Sequence, residues 1–433
     1  MRNPISRRAL LAGLAAPRAA RPPSFLIMLS DDQGYGDAGC YGGEIPTPNI
    51  DSIARNGVRF TQYYAAGPVC TPSRYGLLTG RYPARSRDNL LGALMPGSKK
   101  GIHSGETTVA DVLKGRGYRT AVFGKWHLGD ALPEFFPTRH GFQRFDGFVH
   151  GCIDFFDFTY GGMKCWYRNE SLFQPPRGYT TDYITDRAIE FLRDLRNRPF
   201  LLYLPYNAPH YGKTWYDPVS RKARNALQAP EDYVARFAHI RDKDRQGYAA
   251  MVASLDDNIG RLLNAVRELK LEEDTLVVFA SDNGGSFPYG GRNGPLRGQK
   301  GELFEGGIRV PCAMQWKGRI APGSVTSQPA GGVDLMPTLC ALAGSAVPKQ
   351  VDGRDLRPVL FERRSLEREL FWRTGDADAY RSGDWKYIRI AGGRELLFHI
   401  ESDPGEKVDR SSDTARLAQI RERYRRLLAS GLE

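Results

Sequence analysis

Asp31 and Asp32 stand side by side, and a second oxygen pair, Asp282 and Asn283, lies far along the chain. Two adjacent carboxylates repel each other unless a cation is shared between them. Oxygen donors alone select a hard cation, calcium ahead of magnesium, and a zinc hydrolase would want a His-x-x-x-His spacing that is absent. A third cluster runs Cys70-Thr71-Pro72-Ser73-Arg74. Pro72 fits the first turn of a helix, where its missing N–H is not needed and its fixed φ is already helical. Cys70 is then expected at a helix N-terminus, whose free N–H groups suit a tetrahedral anion. The same field, with Arg74 one turn on, would lower the pKa of a thiol. Lys125 with His127, then His210, then Lys300 in a glycine-rich stretch, add cations and imidazoles. Singly, each reads as a cap, a turn or, for Cys70, a small buried cysteine. Their chemistry becomes specific only if one place gathers them.

The elements between them supply that place. Apolar runs of strand length cover residues 25–30, 120–124, 199–204, 275–280 and 310–316, and residues 58–64 also resemble a strand. Such runs mark strands buried on both faces. Stretches 47–54, 107–114, 180–195, 247–269 and 334–343 carry helical signals between them. Strands alternating with amphipathic helices predict an α/β fold, a large, mostly parallel sheet sandwiched by helices. Parallel strands end on one edge, and that edge then collects Asp31, Asp32, Lys125, His127, His210, Asp282 and Asn283. Residues 21–364 are expected to form this catalytic domain. Residues 365–433 read as a small C-terminal α+β subdomain, with antiparallel strands within 380–389 and 395–400 and a basic helix over 415–428.

Composition excludes some classes. A chain of 433 residues with 41% hydrophobic and 25% charged residues has the make-up of a globular protein rather than a disordered one. Its net charge of +12 suits a polyanionic ligand. No zinc finger, helix-turn-helix or RNA-binding aromatic motif accompanies that charge, so nucleic acid is not an expected partner. The six cysteines at 40, 70, 152, 165, 312 and 340 are scattered and do not suggest a disulfide framework. Residues 1–20, with Arg7-Arg8 before a short apolar run and small residues after it, read as a twin-arginine export signal, which implies a periplasmic or extracellular protein. No later run reaches the ~18–20 apolar residues of a membrane span.

Two glycine patterns offer rival readings. Gly34-x-Gly36-x-x-Gly39 matches a dinucleotide fingerprint, but Asp31 and Asp32 would set negative charge beside a pyrophosphate. The stretch 290–307 is glycine-rich yet lacks the Gly-Lys-Ser/Thr of a phosphate-binding loop.

Taken as motifs, Asp31-Asp32-Gln33-Gly34-Tyr35-Gly36-Asp37, Cys70-Thr71-Pro72-Ser73-Arg74 with Leu78-Thr79-Gly80-Arg81, Gly124-Lys125-Trp126-His127-Leu128-Gly129, Pro209-His210, Ser281-Asp282-Asn283-Gly284-Gly285 and Lys300 resemble the sulfatase family. Phe398 to Glu406 is also similar to that family's C-terminal turn. The resemblance spans nearly the whole chain after residue 20. It implies that Cys70 is converted to formylglycine by a formylglycine-generating enzyme and acts as nucleophile. It implies a calcium site made by Asp31, Asp32, Asp282 and Asn283 with residue 70. Arg74, Lys125 and Lys300 would clamp the modified residue and the sulfate, and His127 and His210 would move protons. The substrate would be a sulfated small molecule or polysaccharide. A hydrated aldehyde carries two hydroxyls, one to attack sulfur and one whose deprotonation expels sulfate, which a plain Cys or Ser cannot match. A phosphonate or phosphate ester hydrolase of the same superfamily, or a non-catalytic binder of sulfated polymer, are the alternatives. The family often has a hydroxyl residue on the sulfate in the region of residues 148–154; here that region holds His150, which is given no role beyond the rim.

Overall fold

The computed structural model describes residues 21–196, 198–213, 215–216, 223–224 and 226–432. The export signal expected over residues 1–20 lies outside them. Among the described residues no helix is long and apolar enough to cross a membrane.

The main sheet contains β1 (Ser24–Ser30), β2 (Val58–Tyr64), β3 (Arg119–Lys125), β4 (Arg144–Phe148), β5 (Trp166–Arg168), β6 (Ser171–Leu172), β7 (Phe200–Pro205), β8 (Thr275–Ser281), β9 (Arg309–Gln315), β10 (Ser324–Thr326) and β11 (Ala330–Gly331). Their spatial order is β10-β2-β9-β8-β1-β7-β3-β4-β5-β6, with β11 also on β2. β1 lies at the centre and pairs in parallel with both β8 and β7, and β3 pairs in parallel with β7 and β4. β9 is antiparallel to β8 and to β2, so β2 runs with the parallel set. That reversal matters for the site. The carboxyl ends of β1, β2, β3, β7 and β8 share one edge, and the amino end of β9 joins them there.

Side chains of a strand alternate between faces, and β1 feeds two cores accordingly. Phe25, Ile27 and Leu29 pack with Tyr75, Leu77 and Leu78 of α1 (Cys70–Thr79) and with Leu335 and Leu339. Leu26 and Met28 face the other layer, with Ile184 of α2 (Thr180–Arg193) and Met251, Leu255 and Ile259 of α3 (Lys243–Glu268). Burying each such side chain contributes about 1.5–3 kcal/mol. This doubly covered sheet is why β1 is apolar at every position but its ends.

A second sheet of four antiparallel strands, β12 (Glu369–Arg373), β13 (Ala377–Ser382), β14 (Trp385–Ile390) and β15 (Arg394–His399), packs with α4 (Thr414–Ala429). The α/β expectation holds in both parts. The structure adds strands that the apolar runs did not mark: β4, β5 and β6 extend one side of the main sheet, β10 and β11 the other, and β12 completes the small sheet. All six cysteines are free.

Candidate active site

Each strand end delivers its residue to the shared edge. β1 leads into Asp31 and Asp32, which are buried, and β8 leads into Asp282 and Asn283 beside them. β2 leads through residues 65–69 to Cys70, the first residue of α1, with Pro72 in its first turn as expected. β3 ends at Lys125 and turns into His127, while β7 leads to His210. Lys300 arrives from the loop that precedes the reversed strand β9. The structure therefore brings together all the residues that the sequence singled out, from six separate stretches.

Two of these residues hold a left-handed backbone without being glycine: Asp32 at φ 64° and His127 at φ 54°. Such strain costs of order 1–3 kcal/mol and concentrates where function fixes a side chain. At His127 the turn is held from α1, because the Thr71 hydroxyl donates to the His127 carbonyl at 3.0 Å.

The charges pair closely. Lys125 Nζ donates to Asp31 Oδ2 at 2.6 Å, and Lys300 Nζ donates to Asp32 Oδ2 at 2.7 Å. Arg74, wholly buried, donates to Asp282 Oδ2 and to the Lys125 carbonyl, both at 2.8 Å, and lies 3.6 Å from Asp31. The Asp32 N–H donates to Asp282 Oδ1 at 3.1 Å, locking the two acidic strand ends together. Burial alone would raise the Asp32 pKa, but Lys300, with His210 and Lys125, holds it well below the carboxylate range. Burial and the Asp31 charge push Asp282 up to about 6, and burial also raises Asp31. Burial opposes charge on Lys300, but Asp32 more than compensates and raises its pKa. The Cys70 thiol is within electrostatic reach of Asp31, Arg74 and Lys300.

The two imidazoles are neutral and differently oriented. His127 Nε2 lies 2.8 Å from the Leu94 carbonyl, so Nε2 carries the proton. Its Nδ1 lone pair is buried with no partner. Burial, then the Lys125 charge, push its pKa down to about 3. His210 Nδ1 lies 2.9 Å from the Tyr211 carbonyl, so Nδ1 bears the proton and Nε2 accepts from Lys300 Nζ at 3.2 Å. Burial and Lys300 hold His210 well below its ordinary pKa.

A hard cation fits this donor set. Asp31 Oδ1 and Asn283 Oδ1 are buried acceptors without a donor, and buried polar atoms are otherwise satisfied. Donor atoms of Asp31, Asp32 and His210 lie within 4.8 Å of one another. Asn283 Nδ2 donates to Asp32 Oδ1 at 2.8 Å; turning that amide over exchanges its nitrogen for an oxygen facing the same place.

Sequence reasoning passed over several neighbours. Tyr211 stacks on His210, with centroids 4.2 Å apart, and on Tyr289 at 4.5 Å, forming an aromatic wall beside the site. No local pattern joins those two tyrosines. Gln33 is buried with both amide atoms unpartnered, and only its place beside Asp32 could have drawn attention to it. His150 pairs with Asp130 at 3.2 Å and packs on Tyr160. Of the aromatics in this stretch, Phe155, Phe158 and Trp166 are core, whereas Phe156 is 40% exposed. The glycines of the apparent dinucleotide fingerprint serve close backbone packing. A Cβ on Gly34 would stand 2.1 Å from the Arg292 carbonyl oxygen, and one on Gly36 2.4 Å from the Gly294 nitrogen. No long helix follows them; short turns at Tyr35–Asp37 and Gly39–Tyr41 do.

Residues 23–345 match the family model described as Sulfatase. The chain is 38% identical to arylsulfatase A of Homo sapiens over 92% of its own length and 85% of that protein. It is 34% identical to steryl-sulfatase of Mus musculus, over 81% of its length and 67% of that protein. Among solved structures, Ps i-CgsB in complex with k-i-k-neocarrahexaose superposes with a TM-score of 0.85 at 32% identity, covering 94% of this chain and 93% of that one.

Proposed function

The chain belongs to the sulfatase family and is a sulfuric ester hydrolase, and on that premise we propose that it acts through residue 70 as formylglycine beside a bound calcium ion. The observation that carries this reading is the group of buried polar atoms at the strand ends that no protein group satisfies: Asp31 Oδ1, Asn283 Oδ1 and His127 Nδ1. Two oxygens await a cation and one nitrogen awaits a proton donor.

Calcium held by Asp31, Asp32, Asp282, Asn283 and residue 70 would supply the charge that acidifies a hydroxyl and steadies a sulfate oxygen. Formylglycine, hydrated, would supply the two hydroxyls, one for attack on sulfur and one for release of sulfate. The rest falls to the chain's own groups. Arg74 holds Asp282 and the Lys125 carbonyl, so it fixes the frame from beneath. Lys125 and Lys300 present ammonium groups to the sulfuryl oxygens, where charge spreads in the transition state. His127 Nδ1 takes the proton of the second hydroxyl. His210 protonates the leaving oxygen. In the free site its Nε2 accepts from Lys300, so this role requires Lys300 to turn to the sulfate and the substrate's negative charge to raise the ring's pKa.

The proposed substrate is a carbohydrate or aryl sulfate ester; the neocarrahexaose bound by the structural relative supports the carbohydrate class. We place a subdomain boundary near residue 365, a maturation step by a formylglycine-generating enzyme, and export directed by residues 1–20. The test is peptide mass spectrometry on active protein, which is expected to find an aldehyde in place of the Cys70 thiol. Cys70→Ser is expected to keep the fold, release one equivalent of alcohol and stop. Fully active enzyme with an unmodified thiol refutes the reading, and faster cleavage of an aryl phosphonate than of an aryl sulfate moves it to the phosphonate class.

A further inference from the structure

The small C-terminal sheet contributes a buried charge cluster that none of the proposed chemistry uses. Lys386 of β14 is fully buried and pairs with Glu305 at 3.0 Å and with Glu406 at 2.9 Å, the latter off the line of a hydrogen bond. The other oxygen of Glu406 accepts the Glu305 N–H at 2.6 Å. Glu406 closes the C-terminal turn that begins at Asp403 and holds a left-handed backbone, φ 50°. Its carbonyl accepts from Arg297 at 3.0 Å.

Arg297 and Glu305 bracket Lys300, and their segment is tied on every side. The Arg297 carbonyl accepts the Gly306 N–H at 2.6 Å, which closes the loop on itself. The Lys300 N–H donates to Gly285 at 3.1 Å, and the Gly301 N–H donates to Pro68 at 2.9 Å. A Cβ on Gly284 would stand 1.8 Å from the Gly306 carbonyl oxygen, so these backbones meet with no room for a side chain. The loop thus touches the segment after Asn283, the segment before Cys70, and, at its two ends, Glu406. The last contact comes from the C-terminal subdomain, as do the packing of Phe304 on Phe398 and the pairing of Glu305 with Lys386.

We infer that Glu406 and Lys386 are positioning residues for Lys300: they clasp both ends of the loop that aims its ammonium group at the reacting sulfate. The inference rests on the proposed role of Lys300 in that reaction. It makes the C-terminal subdomain part of the active site although it touches no substrate.

A double-mutant cycle separates positioning from general weakening. Glu406→Gln keeps an acceptor for the Glu305 N–H and removes the charge that Lys386 faces. Misplacing a reacting group by ~1 Å costs up to ~100-fold. On a chromogenic aryl sulfate, kcat/KM of Glu406→Gln is expected to fall about 10–100-fold in the parent, with weaker inhibition by inorganic sulfate. In a Lys300→Ala background the same substitution is expected to change kcat/KM less than about threefold, because nothing remains to be aimed. Should Glu406→Gln fold poorly, Gly405→Ala replaces it: its Cβ would stand 3.0 Å from the Pro295 carbonyl oxygen, pressing the loop without touching a buried charge. Equal losses in both backgrounds overturn the clasp and leave the reading of Lys300 intact. Full activity of Lys300→Ala overturns both.

Discussion

His127→Asn isolates the second half of the reaction. The backbone there sits at φ 54°, a region in which Asn is several-fold enriched, so the substitution keeps the turn. The shorter Asn side chain ends near the position of His127 Nδ1, so the 2.8 Å hydrogen bond from Nε2 to the Leu94 carbonyl is given up. Lost with it is the basic Nδ1 lone pair, which has no other partner and which an amide cannot replace as a proton acceptor. Because burial pushes the His127 pKa down to about 3, the ring is neutral near pH 7 and its Nδ1 is open to accept a proton. Removing a general base costs roughly 10²–10⁴-fold, and here the whole loss is expected in sulfate release. Stopped-flow measurement on a chromogenic aryl sulfate should show one equivalent of alcohol released at near the parent rate, then turnover slower by that factor. Inorganic sulfate should appear only with the slow phase. Melting temperature should fall only modestly, since the lost hydrogen bond is worth about 1 kcal/mol. Slow turnover without the burst would place His127 in the first half of the reaction, and unchanged turnover would remove it from both.

Two further outcomes follow from the site and its clasp. Exhaustive treatment with EDTA is expected to abolish activity and calcium to restore it, because the oxygens of Asp31, Asp32, Asp282 and Asn283 suit a hard cation; full activity after chelation refutes the metal reading. Burial and the Glu305 charge raise Glu406 to about 7 from an ordinary 4.5, so the folded protein holds a proton there that the unfolded chain has released. Glu406 therefore costs stability progressively as pH rises from about 4.5 to 7. Glu305 moves oppositely: burial would raise it, but Lys386, Arg309 and Arg381 take it down to about 2, so its contribution stands above 4.5 and fades only as pH falls toward 2. Relative to Glu406→Gln, the parent should lose melting temperature as pH rises from 5 to 7, and a constant or rising difference refutes the assignment.

The central strands were legible because their signal is local. β1, β7 and β8 are apolar at nearly every position, being covered on both faces, and the polar residue after each run marked the edge. β4 escaped notice for the opposite reason. Its sequence, Arg144-Phe145-Asp146-Gly147-Phe148, carries a charge and a glycine, and it is a strand because β3 lies alongside. Gly147 is needed there, since a Cβ would stand 2.0 Å from the Gly124 carbonyl oxygen. β10 and β11 are likewise made by pairing with β2 rather than by propensity. The site residues could be found from strand ends and motifs. Their partners could not: the Leu94 carbonyl and the Tyr289 ring reach the site, and the Glu406 carboxylate the loop that carries Lys300, from distant loops, and only packing brings them there.

The charges at the site bear on which ester it can take. Asp31, Asp32 and Asp282 supply three negative charges, and Arg74, Lys125 and Lys300 supply three positive ones. Both imidazoles are neutral, as burial and the neighbouring lysines dictate. The protein groups alone thus sum to zero in a place where Arg74, Lys125 and Asp31 are wholly shielded from water. An anion entering a neutral, buried site gives up its hydration without a counter-charge, which is costly. The proposed calcium ion would change the sum to plus two. A sulfate monoester brings one negative charge, and the proposed formylglycine hydroxyl would bring a second once deprotonated, so the reacting ensemble would return to neutrality. A phosphate monoester, a dianion near neutral pH, would leave it one charge in excess. Charge alone does not separate a sulfate from a phosphonate monoester, which is also a monoanion, and that distinction falls to the shape of the wall formed by Tyr211 and Tyr289 and to the rate comparison on the two esters. A site balanced in this way for a sulfate monoester would be left one negative charge out of balance by a phosphate monoester.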